Sequence, residues 1–425
     1  MKRFPSSFPV NEDFSAFAEE KRVKTFFCFS TALLLAFPAA AWETDNYTCN
    51  KEKIRDSRSE VNAETNRRIK KALEQVNSIS PEVAKKIGER FQRTRAINRM
   101  MEAEGWDNEV GALEAESAMF DDESRDPAVL SGRVRDLGLS TSHAGFSLKK
   151  KGEKADETEQ LTEGGCSYSR LETTLETHLA SAWMGNMETW ADQAPIPKCQ
   201  AKVDQSVFSA FSLSEGPVAQ IFGLNPVINI NGHKLGIDKL SHFMTEGLHY
   251  ARVRKKGGSL QDALAVGIRE EEGGYGWSAT GVKSYGDMSA NYKGSLFWGA
   301  LVEGDDPYFQ CRKGKWVQLR DFDWADYVDD SLNESINCSE FKTADMNEAA
   351  DKYTEKLYAG DSAFRGRCPV VEGACSGIVA SIQPAEALKT VVHPKCLKDG
   401  GFSATSSYVP GKVINSREEA EGGQR

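Results

Sequence analysis

Asp238-Lys239-Leu240-Ser241-His242-Phe243-Met244-Thr245-Glu246-Gly247-Leu248-His249-Tyr250 mixes charged and apolar residues at helical spacing. In a helix each residue advances about 100° around the axis. Asp238, His242, Thr245, Glu246 and His249 therefore share one arc, and Leu240, Phe243, Met244, Gly247 and Leu248 occupy the other side. A second stretch answers it, Ser284-Tyr285-Gly286-Asp287-Met288-Ser289-Ala290-Asn291-Tyr292-Lys293-Gly294. Asp287, Asn291, Gly294 and Trp298 fall on one face there by the same arithmetic. An acid followed at i+4 by a hydrogen-bonding partner, repeated in two helices, predicts a polar site between them.

Three chemistries fit such a site. His242, Glu246 and His249 could ligate a divalent metal, with Asp238 or Asp287 completing the shell, since imidazole and carboxylate suit zinc or iron. The spacing is neither H-E-x-x-H nor a pair of E-x-x-H motifs, so neither of those two metal patterns is met. Alternatively His242, oriented by Asp238 with Asp287 opposite, could serve as a metal-free general base. In the third reading the same groups satisfy one another and fix the helix register, with Gly294 allowing close approach. Lys239 lies about 100° from Asp238 and reads as a surface or interhelical pair, with Glu246, Asn291 and Gly294 as further binding residues.

The rest of the chain bounds these readings. Its 425 residues carry a net charge of −10, and no cationic run is longer than three residues, as at Lys149-Lys150-Lys151. Nucleic acid is excluded as a partner on this basis, because phosphate binding needs a concentrated cationic surface. Lys21, Arg22 and Lys24, the apolar run Thr25 to Phe37 and Ala39-Ala40-Ala41 read as a signal peptide cleaved after Ala41. The run is shorter than the roughly 20 residues of a permanent anchor, so no transmembrane anchor is expected in the mature protein. Glu12, Asp13, Glu19 and Glu20 are unusual ahead of a signal. A start at Val23, read as methionine, would remove them.

Without Cys28 in the signal, eight cysteines remain, an even set expected to pair in an oxidising periplasmic or secreted setting. Proximity alone suggests Cys368–Cys375 and Cys166–Cys199.

In chain order, residues 42–200 read as an N-terminal helical region. It holds a helix from about Ser57 to Gln75 with the stripe Val61, Ile69, Leu73 and Val76. A second helix from Ser80-Pro81-Glu82 would complete an αα-hairpin. Residues 121–165 read as a polar linker, and Tyr168 to Trp190 as a helix with His178 a partly buried neutral histidine. Residues 201–305 form the central helical domain. Val227 to Ile230 is strand or extended lead-in, Ser259-Leu260-Gln261-Asp262 is a capping box, and Trp277, Tyr285 and Trp298 are aromatic neighbours of the site. Residues 306–399 form a cysteine-rich region with a hairpin over Tyr308–Cys311 and Lys315–Leu319, then helices over Phe322–Ile336 and Asp345–Leu357. A polar tail, 400–425, follows.

The pattern Asp238-Lys239-x-x-His242-Phe243, an acid at Glu270 to Glu272, and Ser284-x-x-Asp287-x-x-x-Asn291-x-x-Gly294 resembles that of YfiM-like envelope lipoproteins. More distantly it is similar to VanZ-like membrane proteins. The resemblance covers residues 232–300. It implies a helical unit in the bacterial envelope whose Asp-Lys, His, Glu, Asp and Asn positions face one another, and it implies no particular reaction. The chain departs from these families in lacking a lipobox and membrane spans, and in its long cysteine-bearing flanks.

The expectation is thus a mainly α-helical, exported, envelope-associated protein. Its bundle-like core should bind a small ligand or envelope component, with a small β-hairpin in a disulfide-stapled C-terminal third. The alternative is a hydrolase, metal-dependent or not, using His242, Asp238 and Asp287.

Overall fold

The computed structural model describes residues 43–78, 162, 165–180, 186–273 and 276–402. Of these, 55% are helical, and the strands form three small antiparallel pairs. The expected helix from Ser80, the body of the 121–165 linker, the signal segment and most of the tail lie outside the described residues.

A single turn, α1 (Asn46–Cys49), precedes α2 (Arg58–Ser78). The stripe Val61, Ile69, Leu73 and Val76 is buried as its spacing predicts, against Leu171, Leu175 and Leu179 of α3 (Tyr168–Leu179). Ser167 caps α3 by accepting from the Arg170 amide. The expected run to Trp190 is interrupted: Ala180 is extended, and α4 (Asn186–Gln193) is separate. His178 is half-buried, its Nε2 lies 2.7 Å from Gln75 Oε1, and burial with nearby Lys71, Arg68 and Arg67 lowers its pKa.

After α5 (Pro217–Phe222), β1 (Val227–Ile230) and β2 (His233–Gly236) form a hairpin. Its two-residue turn is Asn231-Gly232, both at positive φ. Asn-Gly is the pair that tolerates this geometry best. From Asp238 one continuous helix comprises α6 (Asp238–Ser241), a π-helical turn (His242–Glu246) and α7 (Gly247–Lys255). The Ser259/Asp262 capping box then opens α8 (Leu260–Glu271).

β3 (Val282–Ser284) feeds α9 (Tyr285–Gly299), which is buried on nearly every side and forms the axis of the core. Trp298 and Tyr285 pack there, and the Trp298 indole donates to the Met244 carbonyl at 2.9 Å. The predicted hairpin is present as β4 (Phe309–Arg312) and β5 (Lys315–Gln318).

Phe322–Ile336 is not a helix, contrary to expectation. It makes two 3-10 turns and the short α10 (Glu334–Asn337). Asp323, Asp329 and Asn333 each accept the backbone N–H two residues on, so side chains divert the backbone from a continuous ladder. β6 (Ser339–Phe341) pairs with β3. The chain closes with α11 (Ala344–Leu357), α12 (Ala374–Ser381), α13 (Ala385–Val391) and α14 (Pro394–Asp399).

All eight cysteines after residue 42 are paired: Cys49–Cys199, Cys166–Cys311, Cys338–Cys368 and Cys375–Cys396. Both pairings suggested by proximity are therefore replaced. Cys166 and Cys199 find partners about 150 residues away instead of each other. Cys311 lies in β4, whose hairpin partner β5 packs on α2 as α3 does. Cys199, in a β-bridge with Val227 of β1, pairs with Cys49. The two remaining bridges staple the C-terminal third. Among the described residues no helix is long and apolar enough to cross a membrane.

Candidate functional site

The helix beginning at Asp238 is held against β2 from its first residue. Gly236 has no room for a Cβ, which would sit 2.2 Å from both Asp238 Oδ1 and Thr44 Oγ1. Its absence lets Thr44 donate to Asp238 Oδ1 at 2.9 Å. Asp238 also accepts from the Lys239 backbone amide at 2.9 Å. Its other oxygen is 2.8 Å from Lys239 Nζ.

Lys239 is the centre of the site. Fully buried, it places its ammonium 2.8 Å from Asp238, 2.6 Å from Asp287 Oδ1 and 2.6 Å from Glu334 Oε1. Of the two expected alternatives, a surface or an interhelical pair, the interhelical one is found. A four-carbon stem spans the angular offset from Asp238, and α9 and α10 close over it. Burial alone would lower the lysine pKa, but Asp238, Asp287 and Glu334 more than offset that and raise it, so the ammonium is charged.

α9 supplies the opposing wall. Ser284 caps it by accepting from the Asp287 amide at 3.1 Å and donates its hydroxyl to Glu334 Oε1 at 2.7 Å. His242 Nδ1 lies 3.0 Å from Asn291 Oδ1. Its Nε2 is 3.4 Å from Asp287 Oδ2, too long for a good hydrogen bond, and is left without a partner. Glu271, at the end of α8, accepts from the Ser284 amide at 2.9 Å. Asp238, His242, Asp287 and Asn291 are thus brought together, all buried. Gly294 is where the helices cross: a Cβ on it would meet the Phe243 carbonyl oxygen at 2.0 Å.

Glu246 and His249 are not brought to His242. The π turn widens the helix at His242–Glu246, so the uniform 100° progression fails after it. Glu246 Oε2 meets His249 Nδ1 at 2.9 Å, and this pair groups with Glu270 in a more exposed cluster. His242 instead groups with Glu271 and Asp287.

Three acids escaped the sequence reading. Glu43, Glu188 and Glu334 are 4%, 1% and 2% exposed and surround the same centre. Each stands alone in a short polar segment, where nothing distinguishes it from a surface acid. Burial first, then the charges of Glu334 and Asp287, raises the Glu43 pKa well above the usual carboxylate range. Burial, then Asp287, does the same for Glu271. Burial pushes Glu334 up to about 7 although Lys239 opposes it, and burial with Asp238 pushes Glu188 to about 7. For Asp287 burial raises, but His242 and Lys239 more than offset it, and its pKa is lowered.

Comparisons with family models, with curated proteins and with solved structures return no match.

Proposed function

We propose that the chain is an exported, envelope-associated protein whose central site works by binding a cation, and not by hydrolysis. One observation carries this reading: the surplus of buried acid. Among the described residues, Glu43, Glu188, Asp238, Glu271, Asp287 and Glu334 face Lys239 and His242 as cationic partners. Six carboxylates against at most two cations leave at least four negative charges to be neutralised by protons or by a bound cation. Closure of the same residues to solvent favours a small ion over an extended substrate. The surface cavity lined by Thr48, Lys53, Pro197 and Gln205 lies apart from them.

Export is supported by the signal-like N-terminus and by the pairing of all eight later cysteines, a state maintained in oxidising compartments. The site's facing Asp-Lys, His, Glu, Asp and Asn groups are those that the likeness to YfiM-like envelope proteins would place there.

The test is thermal melting of chelator-treated protein at pH 8 with and without divalent cations. A cation is expected to raise the melting temperature by several degrees, as ligand linkage requires, and Asp287→Asn should abolish the shift. No shift with any cation, or a shift that persists in Asp287→Asn, would contradict the reading.

A further inference from the structure

Three groupings bring a carboxylate or imidazole atom from each member within 4.8 Å of one another. In the first, Asp238, Asp287 and Glu334, the space is filled by the Lys239 ammonium. In the second, Glu246, His249 and Glu270, the histidine pairs with Glu246, and its side chain is 46% exposed. The third, His242, Glu271 and Asp287, differs from both. His242 is 7% exposed, yet its Nε2 has no hydrogen-bond partner.

The tautomer explains why that nitrogen matters. An amide oxygen only accepts, so Asn291 Oδ1 at 3.0 Å calls for a proton on Nδ1. With that proton on Nδ1, the free Nε2 edge faces the carboxyl groups of Asp287 and Glu271. A cation between them would take one lone pair from each of the three side chains, releasing any proton they carry. Such an Nδ1–H contact to a neighbouring oxygen is how metal-bound histidines are usually oriented. The spacing also fits. Bonds of about 2.1 Å at a tetrahedral centre put adjacent ligand atoms roughly 3.4 Å apart, and Nε2 lies 3.4 Å from Asp287 Oδ2.

We propose that His242 Nε2, Asp287 Oδ2 and a carboxylate oxygen of Glu271 bind one divalent transition-metal ion. This rests on the cation-binding reading above and names its ion and ligands. One imidazole nitrogen and two carboxylates suit zinc or manganese, whereas magnesium and calcium prefer oxygen alone. Asp287 then joins two positive centres, Lys239 through Oδ1 and the metal through Oδ2. Ser284 orients Glu271 through its amide.

The experiment measures zinc and manganese in the full, disulfide-bonded protein purified from medium supplied with both ions, with circular dichroism as the check on folding. The wild type and His249→Ala should each hold about one equivalent. His242→Ala and Glu271→Gln should hold at least roughly tenfold less. Glu271→Gln keeps an oxygen for the Ser284 amide, so it separates lost ligation from lost folding. Metal retained by folded Glu271→Gln, or lost in His249→Ala, would overturn this site while leaving cation binding itself in place. Metal absent from the wild type would overturn the site, and the melting response at pH 8 would then decide the broader reading separately.

Discussion

At the scale of single residues, Lys239 decides what the site is. A charged lysine taken wholly out of water is tolerated only because three carboxylates lie within 2.8 Å of it. Removing it leaves acids facing acids. Lys239→Met should therefore destabilise the protein by about 3–5 kcal/mol near neutral pH, as measured by denaturant unfolding. The loss should be smaller at pH 5, where more of the carboxyl groups carry protons. A variant as stable as the wild type would show that the ammonium is not the keystone described.

Much of this residue-level arrangement was legible. Asp238, His242, Asp287 and Asn291 were found because helical spacing put each acid and its partner on one face. Glu43, Glu188 and Glu334 were not, because their burial depends on segments far from them in sequence. Lys239 was read as either a surface or an interhelical pair, and spacing did not choose between them. Angular arithmetic locates a Cβ, not the end of a flexible chain.

At the scale of elements, the π turn and the glycine crossing determine how the two halves of the site meet. The π turn sends Glu246 and His249 towards Glu270, while His242 stays with α9. Gly247 and Gly294 then allow contact between backbones, a Cβ on Gly247 falling 2.6 Å from Gly294 Cα. Gly294→Ala would drive a methyl group into the Phe243 carbonyl and should cost about 1–3 kcal/mol or more, together with any cation-induced stabilisation. Gly299→Ala, in the same helix but with nothing within 4 Å of the added Cβ, should be neutral or slightly stabilising. Equal losses in the two variants, read from melting curves, would refute the close-crossing account.

Elements with strong periodicity or turn chemistry were readable: α2 from its stripe, α8 from its capping box, and the β4–β5 hairpin. The β1–β2 hairpin carried a usable signal in Asn231-Gly232 that helical spacing downstream obscured. Phe322–Ile336 misled because its apolar residues recur like a helix while its Asp and Asn side chains cap turns. The π turn has no comparable mark in the sequence.

At the scale of the whole molecule, Cys49–Cys199 and Cys166–Cys311 join segments separated by 150 and 145 residues. Bridges closing such long loops restrict the unfolded chain most. They help to hold together a fold that confines an acid surplus at its centre. That surplus has a direct thermodynamic signature. Glu188 and Glu334, both pushed up to about 7 by burial, bind protons in the folded state that the unfolded chain has released. Their stabilising contribution is complete below the ordinary glutamate value and is lost as pH rises through 7. His393, held at about 4 by burial, acts in the opposite sense, but only below the ordinary histidine value. Asp323, at about 2 chiefly through its hydrogen bond to Arg58, acts only in acid.

The decisive measurement is therefore the unfolding free energy of the metal-free protein between about pH 6.5 and pH 8. The account predicts a fall to which the two glutamates each contribute on the order of 1 kcal/mol. Glu270 and His249, raised to about 8 and about 9, add in the same sense. The fall should be shallower in Glu188→Gln, whose amide oxygen can still accept from Asn225. A stability that is level or rises across that window, or a slope unchanged in Glu188→Gln, would contradict the buried acid surplus on which the proposed function rests.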